Sequence, residues 1–189
     1  MERDILKEMK YNKVMMKTAY NFAELSYCGK RQVGAVLVKD NRILATGYNG
    51  TISGKPNKCE GKFIICECGR ELDPEESIFN KSSSDGIYRI CRCNCGKEHN
   101  VKIDEIIDMK YKTSEFVLHA EQNVISFCSK NGIPTNKTTL YVTTAPCKQC
   151  AKLIAQSGIS KVIYKEDYKN NGGIYYLESC GVEVKKLEG

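Results

Sequence analysis

The sequence predicts a three-layer α/β/α fold in which a mixed sheet of about five strands lies between helices. Three observations support this prediction. Short β-rich runs follow an N-terminal helical pattern, and strands and helices alternate again after residue 116. The strand–helix–strand order of the last third favours parallel pairing there. With 189 residues, of which 41% are hydrophobic, the chain is long enough to form one domain with a sizeable core.

The N-terminal region predicts one helix followed by a hairpin. Residues 4–27 carry apolar side chains at roughly helical spacing among charged ones. The runs 33–38 and 42–47 are short and β-rich, and the polar residues 39–41 separate them. This arrangement is typical of two antiparallel strands joined by a tight turn.

The middle of the chain interrupts this pattern. From about residue 51 to 114 the apolar residues show no sustained periodic spacing and cysteines accumulate. Residues 82–86 form a polar, flexible run. We therefore expect residues 1–189 to form a single domain that carries a cysteine-rich insertion at 59–114. The insertion has too few large apolar residues to bury a core of its own.

Regular structure is predicted again from residue 117 onward, as alternating helices and strands. A helix over 117–130 is ended by Asn131-Gly132, and a later one runs from Pro146 to Ser157-Gly158. The remaining predicted elements are strands at 138–143, 161–164 and 182–185 and a helix at 172–180. In such folds a site forms where strand ends meet helix starts.

Composition narrows the function class. No run of about 18 apolar residues is present, and the N-terminus lacks a basic-then-apolar signal pattern, so a soluble, cytoplasmic protein is expected. The eleven cysteines include closely spaced pairs, which favour metal binding over a disulfide framework. The net charge of +6 suits an anionic small substrate as well as a nucleic acid.

Two motifs carry the chemistry. His119-Ala120-Glu121 supplies an imidazole and a carboxylate, and Pro146-Cys147-Lys148-Gln149-Cys150 supplies two thiols three positions apart. A catalytic zinc typically takes three protein ligands and leaves its fourth position to water. We therefore expect His119, Cys147 and Cys150 to bind one catalytic Zn²⁺, each close to the start of a helix.

Glu121 is predicted to be the catalytic acid and base rather than a ligand. It would take a proton from the activated water, deliver it to a ring nitrogen of the substrate base, and later protonate the departing amine. A purely structural zinc with an incidental glutamate is the alternative. Structural sites usually have four protein ligands, which disfavours that alternative.

With these motifs the chain resembles the deoxycytidylate (dCMP) deaminases of the cytidine deaminase superfamily, and it looks most similar to phage and bacterial members. The resemblance covers most of the chain outside 60–114. It depends on the sequence runs RQVGAV at 31–36, GYNG at 47–50, HAEQN at 119–123, and YVT at 141–143 leading into PCKQCAK at 146–152. The zinc motifs also occur in adenosine, cytosine and riboflavin-pathway deaminases, so GYNG is what narrows the substrate.

The resemblance implies a cytidine deaminase-like fold and hydrolysis of dCMP to dUMP and ammonia for thymidylate synthesis. It implies a homo-oligomer, commonly a hexamer, activated by dCTP and inhibited by dTTP. The implied substrate-binding residues are Asn49, Ala120 and Tyr168, and the implied effector-binding residues are Gly47, Tyr48 and Gly50. Asn49-Gly50 could instead be an ordinary turn, and Tyr168 a half-buried surface aromatic. Phosphate-binding residues stay unassigned among Lys30, Arg31, Lys148 and Lys169.

The insertion is expected to be stabilised by structural zinc, because metal binding can offset the ordering cost of loops. Eight candidate ligands are enough for two four-coordinate sites. They are Cys28, Cys59, Cys66, Cys68, Cys91, Cys93, Cys95 and His99. By resemblance Cys28 and Cys59 would be two ligands of one structural zinc, and the partition of the other six stays open, as does the alternative of unligated thiols. Cys128 and Cys180 are expected to be a core and a surface thiol.

Two other functions remain open at this level. One is a polynucleotide deaminase acting on RNA or single-stranded DNA, with the insertion as a zinc ribbon; the mixed charges and few aromatic residues of the insertion disfavour it. The other is a catalytically silent, zinc-stabilised interaction protein, which would have no need for Glu121. Neither a membrane nor a nucleic acid is an expected partner.

Overall fold

The structure is a computed structural model that describes residues 2–169 and 171–188. It divides into two compact units. The first, the α/β unit, extends to Gly50 and resumes at Leu118, and the second, the inserted unit, is Thr51–Val117.

The elements of the described residues are as follows in chain order. The α-helices are α1 (Glu2–Ala23), α2 (Ile103–Asp108), α3 (Ala120–Lys130), α4 (Lys148–Gln156) and α5 (Gly172–Ser179), and Pro74–Glu76 forms a 3₁₀ turn. The strands are β1 (Gly34–Lys39), β2 (Arg42–Tyr48), β3 (Gly50–Thr51), β4 (Glu60–Gly61), β5 (Ile64–Ile65), β6 (Glu71–Leu72), β7 (Asn80–Ser83), β8 (Gly86–Arg92), β9 (Glu98–Lys102), β10 (Lys112–Thr113), β11 (Val117–Leu118), β12 (Thr139–Thr144), β13 (Lys161–Glu166) and β14 (Glu183–Lys186).

The core of the α/β unit is a five-stranded sheet of order β14-β13-β12-β1-β2. Strand β12 pairs in parallel with β13, and β13 with β14, whereas β1 pairs antiparallel with both β12 and β2. The parallel half follows from helical crossovers, and the antiparallel half from the hairpin at Asp40 and Asn41, which both have positive φ. The prediction of a mixed five-stranded sheet is confirmed.

Alternation along the strands produces the three layers, because successive side chains point to opposite faces. On one face Val36 and Val38 cluster with Met15, Met16 and Ala19 of α1. The other face packs against α3, α4 and α5, in a second cluster formed by the following residues, among others: Ala35, Leu37, Leu140, Val142, Val124, Ile154 and Leu177. The predicted layers of helices on both faces are therefore also confirmed.

Boundaries of three helices differ from the predicted ones. Helix α3 begins at Ala120 instead of 117, because Val117–Leu118 form a short strand. Helix α1 ends at Ala23 instead of 27. Helix α4 begins at Lys148 with Cys147 as its N-cap, so Pro146 lies before the cap instead of in the first turn. Sequence patterns place such ends poorly, because a residue in a cap and one in the first turn differ mainly in their backbone angles.

The inserted unit is built from short antiparallel pairs, β4 with β10 and β5 with β6, and from a three-stranded sheet of order β7-β8-β9. Its apolar cluster has three buried members, Cys91, Val101 and Ile106, with Ile64 and Leu72 partly buried against them. No helix among the described residues is both long enough and apolar enough to cross a membrane.

Candidate active site

The three predicted metal ligands lie together at the starts of two helices. The Nδ1 atom of His119 lies 3.3 Å from Sγ of Cys150 and 3.6 Å from Sγ of Cys147. All three donor atoms lie within 4.8 Å of one another. His119 is exposed, Cys147 half-buried and Cys150 buried, so the group opens to solvent on the imidazole side.

The donor set fits zinc. Zinc bonds of about 2.3 Å to sulfur and about 2.05 Å to nitrogen, arranged tetrahedrally, separate a sulfur from a nitrogen ligand by about 3.6 Å. The two observed separations are 3.3 and 3.6 Å. Three protein donors with one open side are typical of a catalytic rather than a structural zinc.

Helix capping positions these donors. His119 is the N-cap of α3, and its backbone N–H donates to the Gln122 side chain at 2.8 Å in a capping box. Cys147 is the N-cap of α4, and its Sγ accepts the backbone N–H of Cys150 at 3.5 Å. The free N–H groups and the positive dipole ends of both helices favour thiolate and other anionic groups at this place.

Glu121 lies in the first turn of α3 with only 3% of its surface exposed. Burial raises the pKa of its carboxyl group, while the backbone N–H of Glu121 and the charge of His119 act in the opposite direction. The Cys150 side chain hydrogen-bonds to it as well. A buried carboxyl group beside the donor set, and outside the set itself, is suited to holding and releasing a proton.

The pKa values of the two thiols are shifted in opposite directions. Hydrogen bonding from Cys150, followed by that from His119, lowers the pKa of Cys147 to about 3. The bond to Cys147, together with burial, raises the pKa of Cys150. The hydrogen bond to Cys147 also raises the pKa of His119. These hydrogen bonds therefore favour the thiolate form of Cys147, which is the form of cysteine that binds a metal ion.

Strand β2 holds α3 in place. A Cβ atom on Gly47 would lie 2.9 Å from Cγ2 of Val124 and 3.0 Å from the carbonyl oxygen of Ala120, so only glycine allows this approach. Asn123 Nδ2 also donates to the carbonyl oxygen of Tyr48 at 2.9 Å. Asn123 belongs to the HAEQN run, but sequence reasoning gave it no role because its partner comes from β2.

Asn49 connects the end of β2 to the segment before β1. Its Oδ1 accepts the backbone N–H of Val33 at 2.7 Å, and its Nδ2 donates to the carbonyl oxygen of Arg31 at 2.9 Å. An amide has two donor hydrogens and two acceptor lone pairs, so one of each remains. The residue is thus held rigidly, and its predicted contact with substrate stays a prediction.

Tyr168 lies half-buried after β13, packed against the main core cluster. The guanidinium carbon of Arg31 lies 5.5 Å from its ring centre and Nζ of Lys169 lies 5.0 Å from it. Lys169 also acts on His119 by its charge. Sequence reasoning left both cations unassigned, because Arg31 and Lys169 are brought to one ring only by the fold.

The other predicted residues are distributed over both units. Ala120 is fully buried at the first position of α3, and Gly47, Tyr48 and Gly50, predicted to bind an effector, lie at the end of β2 and the start of β3. Cys128 is buried in the core and Cys180 is exposed. These positions leave the predicted effector role untested.

The predicted structural ligands separate into a compact group and a remainder. Cys66, Cys68, Cys93 and Cys95 lie together in the inserted unit. Cys91 and His99 are opposite each other on β8 and β9, and Nε2 of His99 is buried without a hydrogen-bond partner among the described residues. Cys28 is buried in the α/β unit and Cys59 in the inserted unit, and their role as ligands stays a prediction.

Comparison with known proteins shows which protein family this chain is similar to. The family model for the cytidine and deoxycytidylate deaminase zinc-binding region matches residues 9–166. The deoxycytidylate deaminase of Enterobacteria phage T4 is 37% identical over 175 residues, which cover 90% of this chain and 86% of the phage protein. ComE operon protein 2 of Bacillus subtilis is 33% identical, covering 97% and 74%. The crystal structure of dCMP deaminase from cyanophage S-TIM5 in complex with dCMP and dUMP has a TM-score of 0.63 and 32% identity, covering 92% and 94%.

Proposed function

Because the chain belongs to the cytidine and deoxycytidylate deaminase family, we propose that it hydrolyses dCMP to dUMP and ammonia at a zinc held by His119, Cys147 and Cys150. Membership confirms the resemblance inferred from the motifs. The observation that carries the proposal is the buried Glu121 carboxyl group beside a three-donor set. Deoxycytidylate deaminases among its relatives support dCMP as the substrate.

The residues have separate tasks in this reaction. When bound, the zinc ion lowers the pKa of a coordinated water to roughly 7 and so supplies a nucleophile near neutral pH. Glu121 accepts the proton that the water releases and delivers it to N3 of the cytosine ring as C4 is attacked. It then takes the proton of the hydroxyl group added to C4 and passes it to the amino group. The C4–N bond breaks, ammonia leaves, and the C4 oxygen becomes the carbonyl of uracil. The raised pKa of this buried carboxyl group favours its protonated form in the steps where it is a donor.

The 5′-phosphate has two candidate partners at the rim of the site. Arg31 and Lys169 both lie beside the ring of Tyr168, and both side chains are exposed. Guanidinium and ammonium groups bind phosphate through charge-assisted hydrogen bonds. We assign the phosphate to this pair, and Tyr168 and Asn49 to the nucleoside.

Regulation and assembly extend the same proposal. By family resemblance the enzyme is a cytoplasmic homo-oligomer, a hexamer in the commonest form, activated by dCTP and inhibited by dTTP. The effector would bind at Gly47, Tyr48 and Gly50. Strand β2 connects these residues to α3 through Gly47 and Asn123, which supplies a short physical route from effector to Glu121.

Ion pairs in the inserted unit argue against the polynucleotide alternative. Lys58 pairs with Asp73, Arg92 with Glu98, and Lys97 with Glu67. A surface that tracks phosphates needs unpaired cations, because its affinity comes from releasing counterions. The mononucleotide reaction is therefore the better supported one.

A substrate panel tests this proposal directly. Purified protein is incubated with dCMP, CMP, deoxycytidine and single-stranded RNA, and the conversion of cytosine to uracil is followed by ultraviolet absorbance and ammonia release. We expect dCMP to be the best substrate. Turnover of cytosine or adenine in RNA, with none of the mononucleotides converted, would overturn the proposal.

A further inference from the structure

The inserted unit contains a second group of metal-binding side chains. The sulfur of Cys66 lies 3.6 Å from that of Cys95, and the sulfur of Cys68 lies 3.5 Å from that of Cys93. All four sulfurs lie within 4.8 Å of one another. We propose that they bind one zinc ion as a tetrathiolate site that holds the inserted unit in its fold.

The four cysteines come from two equivalent loops. Residues 66–70 connect β5 to β6, and residues 93–97 connect β8 to β9, each with the pattern Cys-x-Cys-Gly followed by a basic residue. In the first loop Cys66 N–H donates to the Arg70 carbonyl and Gly69 N–H to the Cys66 carbonyl. In the second, Cys93 N–H donates to the Lys97 carbonyl and Gly96 N–H to the Cys93 carbonyl, at lengths within 0.1 Å of those in the first.

This repetition has a geometric reason. Gly69 and Gly96 have φ of +83° and +90°, which glycine adopts without strain, and each turns its loop back immediately after the second cysteine. Each loop therefore presents two sulfurs on one side. Two such loops facing each other supply four donors, and an ion pair between Glu67 of the first and Lys97 of the second joins them.

The sulfur separations fit zinc. Four zinc–sulfur bonds of about 2.3 Å at tetrahedral angles place the sulfurs about 3.8 Å apart. The observed separations of 3.5 and 3.6 Å are close to this value, whereas a disulfide needs about 2.05 Å. A tetrahedral site made only of sulfur donors selects zinc or iron. When protein side chains fill all four positions around a zinc ion, its role is structural and not catalytic.

The inserted unit also needs such a link. Its apolar cluster has only three buried residues, and β5 and β6 are two residues long. Such a cluster cannot offset the entropy of ordering loops of this length. Structural zinc contributes about 10–16 kcal/mol in small zinc domains. The site shares no donor with the candidate active site, so it stands independently of the proposed reaction.

Alkylation of the native protein tests the site without any substitution. Cys68, Cys95 and Cys180 are all exposed free thiols, and only the first two belong to the proposed site. The zinc-loaded full chain is treated with iodoacetamide and analysed by mass spectrometry. We expect Cys68 and Cys95 to react at least about tenfold more slowly than Cys180, and to lose this protection after a chelator is added, because a zinc-bound sulfur is a poorer nucleophile.

Zinc content provides the second test. Metal is counted by mass spectrometry in wild type, in the double variant Cys68→Ser/Cys95→Ser, and in the control Cys180→Ser. The double variant should contain one zinc fewer per chain, and the control should match wild type. If the double variant does not fold, the alkylation result on wild type decides alone.

Four results would overturn the proposal. Cys68 and Cys95 could react as fast as Cys180 in the zinc-loaded protein, or be recovered in disulfide-linked peptides from protein kept under reducing conditions. Zinc content could be equal in wild type and in a soluble double variant. The four-cysteine site could contain one iron ion per chain instead of zinc, and the protein would then be coloured.

Discussion

The Nδ1 atom of His119 lies 3.3 Å from Sγ of Cys150, although 31 positions separate the two residues in the chain. The contact joins the N-cap of α3 to the first turn of α4, and both helices pack on the same face of the sheet. The site therefore depends on how two helices dock on one sheet. Substitutions of the metal-binding side chains, of the Glu121 carboxyl group and of the residues that dock the helices should therefore have separable effects on zinc content, turnover and stability.

Replacing Glu121 with glutamine should abolish catalysis while zinc is retained. The amide has the same shape but cannot accept and release the proton, and general acid–base catalysis contributes about 10²–10⁴-fold. We expect kcat for dCMP to fall at least about 10²-fold in steady-state assays, with unchanged zinc content. A variant that retains kcat within a factor of about three would show that Glu121 is not the proton carrier.

Replacing Cys147 with serine should remove the catalytic zinc. A hydroxyl group is a poor zinc ligand at neutral pH, because a ligand must be deprotonated and a serine side chain resists this. The variant should lose one zinc per chain and its dCMP turnover, measured by metal analysis and ultraviolet assay. Cys180→Ser is the matched control, since Cys180 is exposed and outside both cysteine groups. Full activity in a zinc-depleted Cys147→Ser protein would contradict a metal-dependent reaction.

Replacing Arg31 or Lys169 with glutamine should weaken recognition of the phosphate. A hydrogen bond to a charged group contributes about 1.5–3 kcal/mol. This corresponds to a fall of about 10–100-fold in kcat/KM for dCMP. The same variants should change kcat/KM for deoxycytidine much less, because that substrate has no phosphate. Lys185→Gln, at an exposed position on β14, is the control. Equal losses on both substrates would assign the two cations a structural role instead.

Replacing Gly47 with alanine should loosen α3. The added methyl group would contact Val124 and the carbonyl oxygen of Ala120 at about 3 Å, and crowding of this kind costs about 1–3 kcal/mol of unfolding free energy. Thermal unfolding should show a lower Tm for Gly47→Ala. Gly50→Ala should have little effect, because its added methyl group would meet only a Tyr48 ring carbon at 4.0 Å. Equal Tm values for the two variants would refute the close packing of β2 on α3.

Much of the α/β unit was predictable from local patterns. The hairpin between β1 and β2 has a polar turn in which Asp40 and Asn41 take positive φ, and a strand–helix–strand order implies parallel pairing. His119, Glu121, Cys147 and Cys150 could be proposed as a set because zinc chemistry requires those donor types and because each pair is close in sequence. Local patterns predicted poorly where α1 ends and where α3 and α4 begin, since capping depends on single backbone angles.

By itself, the sequence determined which side chains are available for chemistry and that two motifs belong to a zinc-dependent deaminase. Only the tertiary structure decided which candidate donors lie close enough together to bind one ion. Cys91 and Cys93 are two positions apart, yet Cys93 joins Cys66, Cys68 and Cys95, while Cys91 faces His99 across β8 and β9. The reason is physical, because β8 ends at Arg92: Cys91 stays within the paired strands, whereas Cys93 lies in the loop that places its sulfur beside the other three. A metal ion selects donors by distance, not by order along the chain.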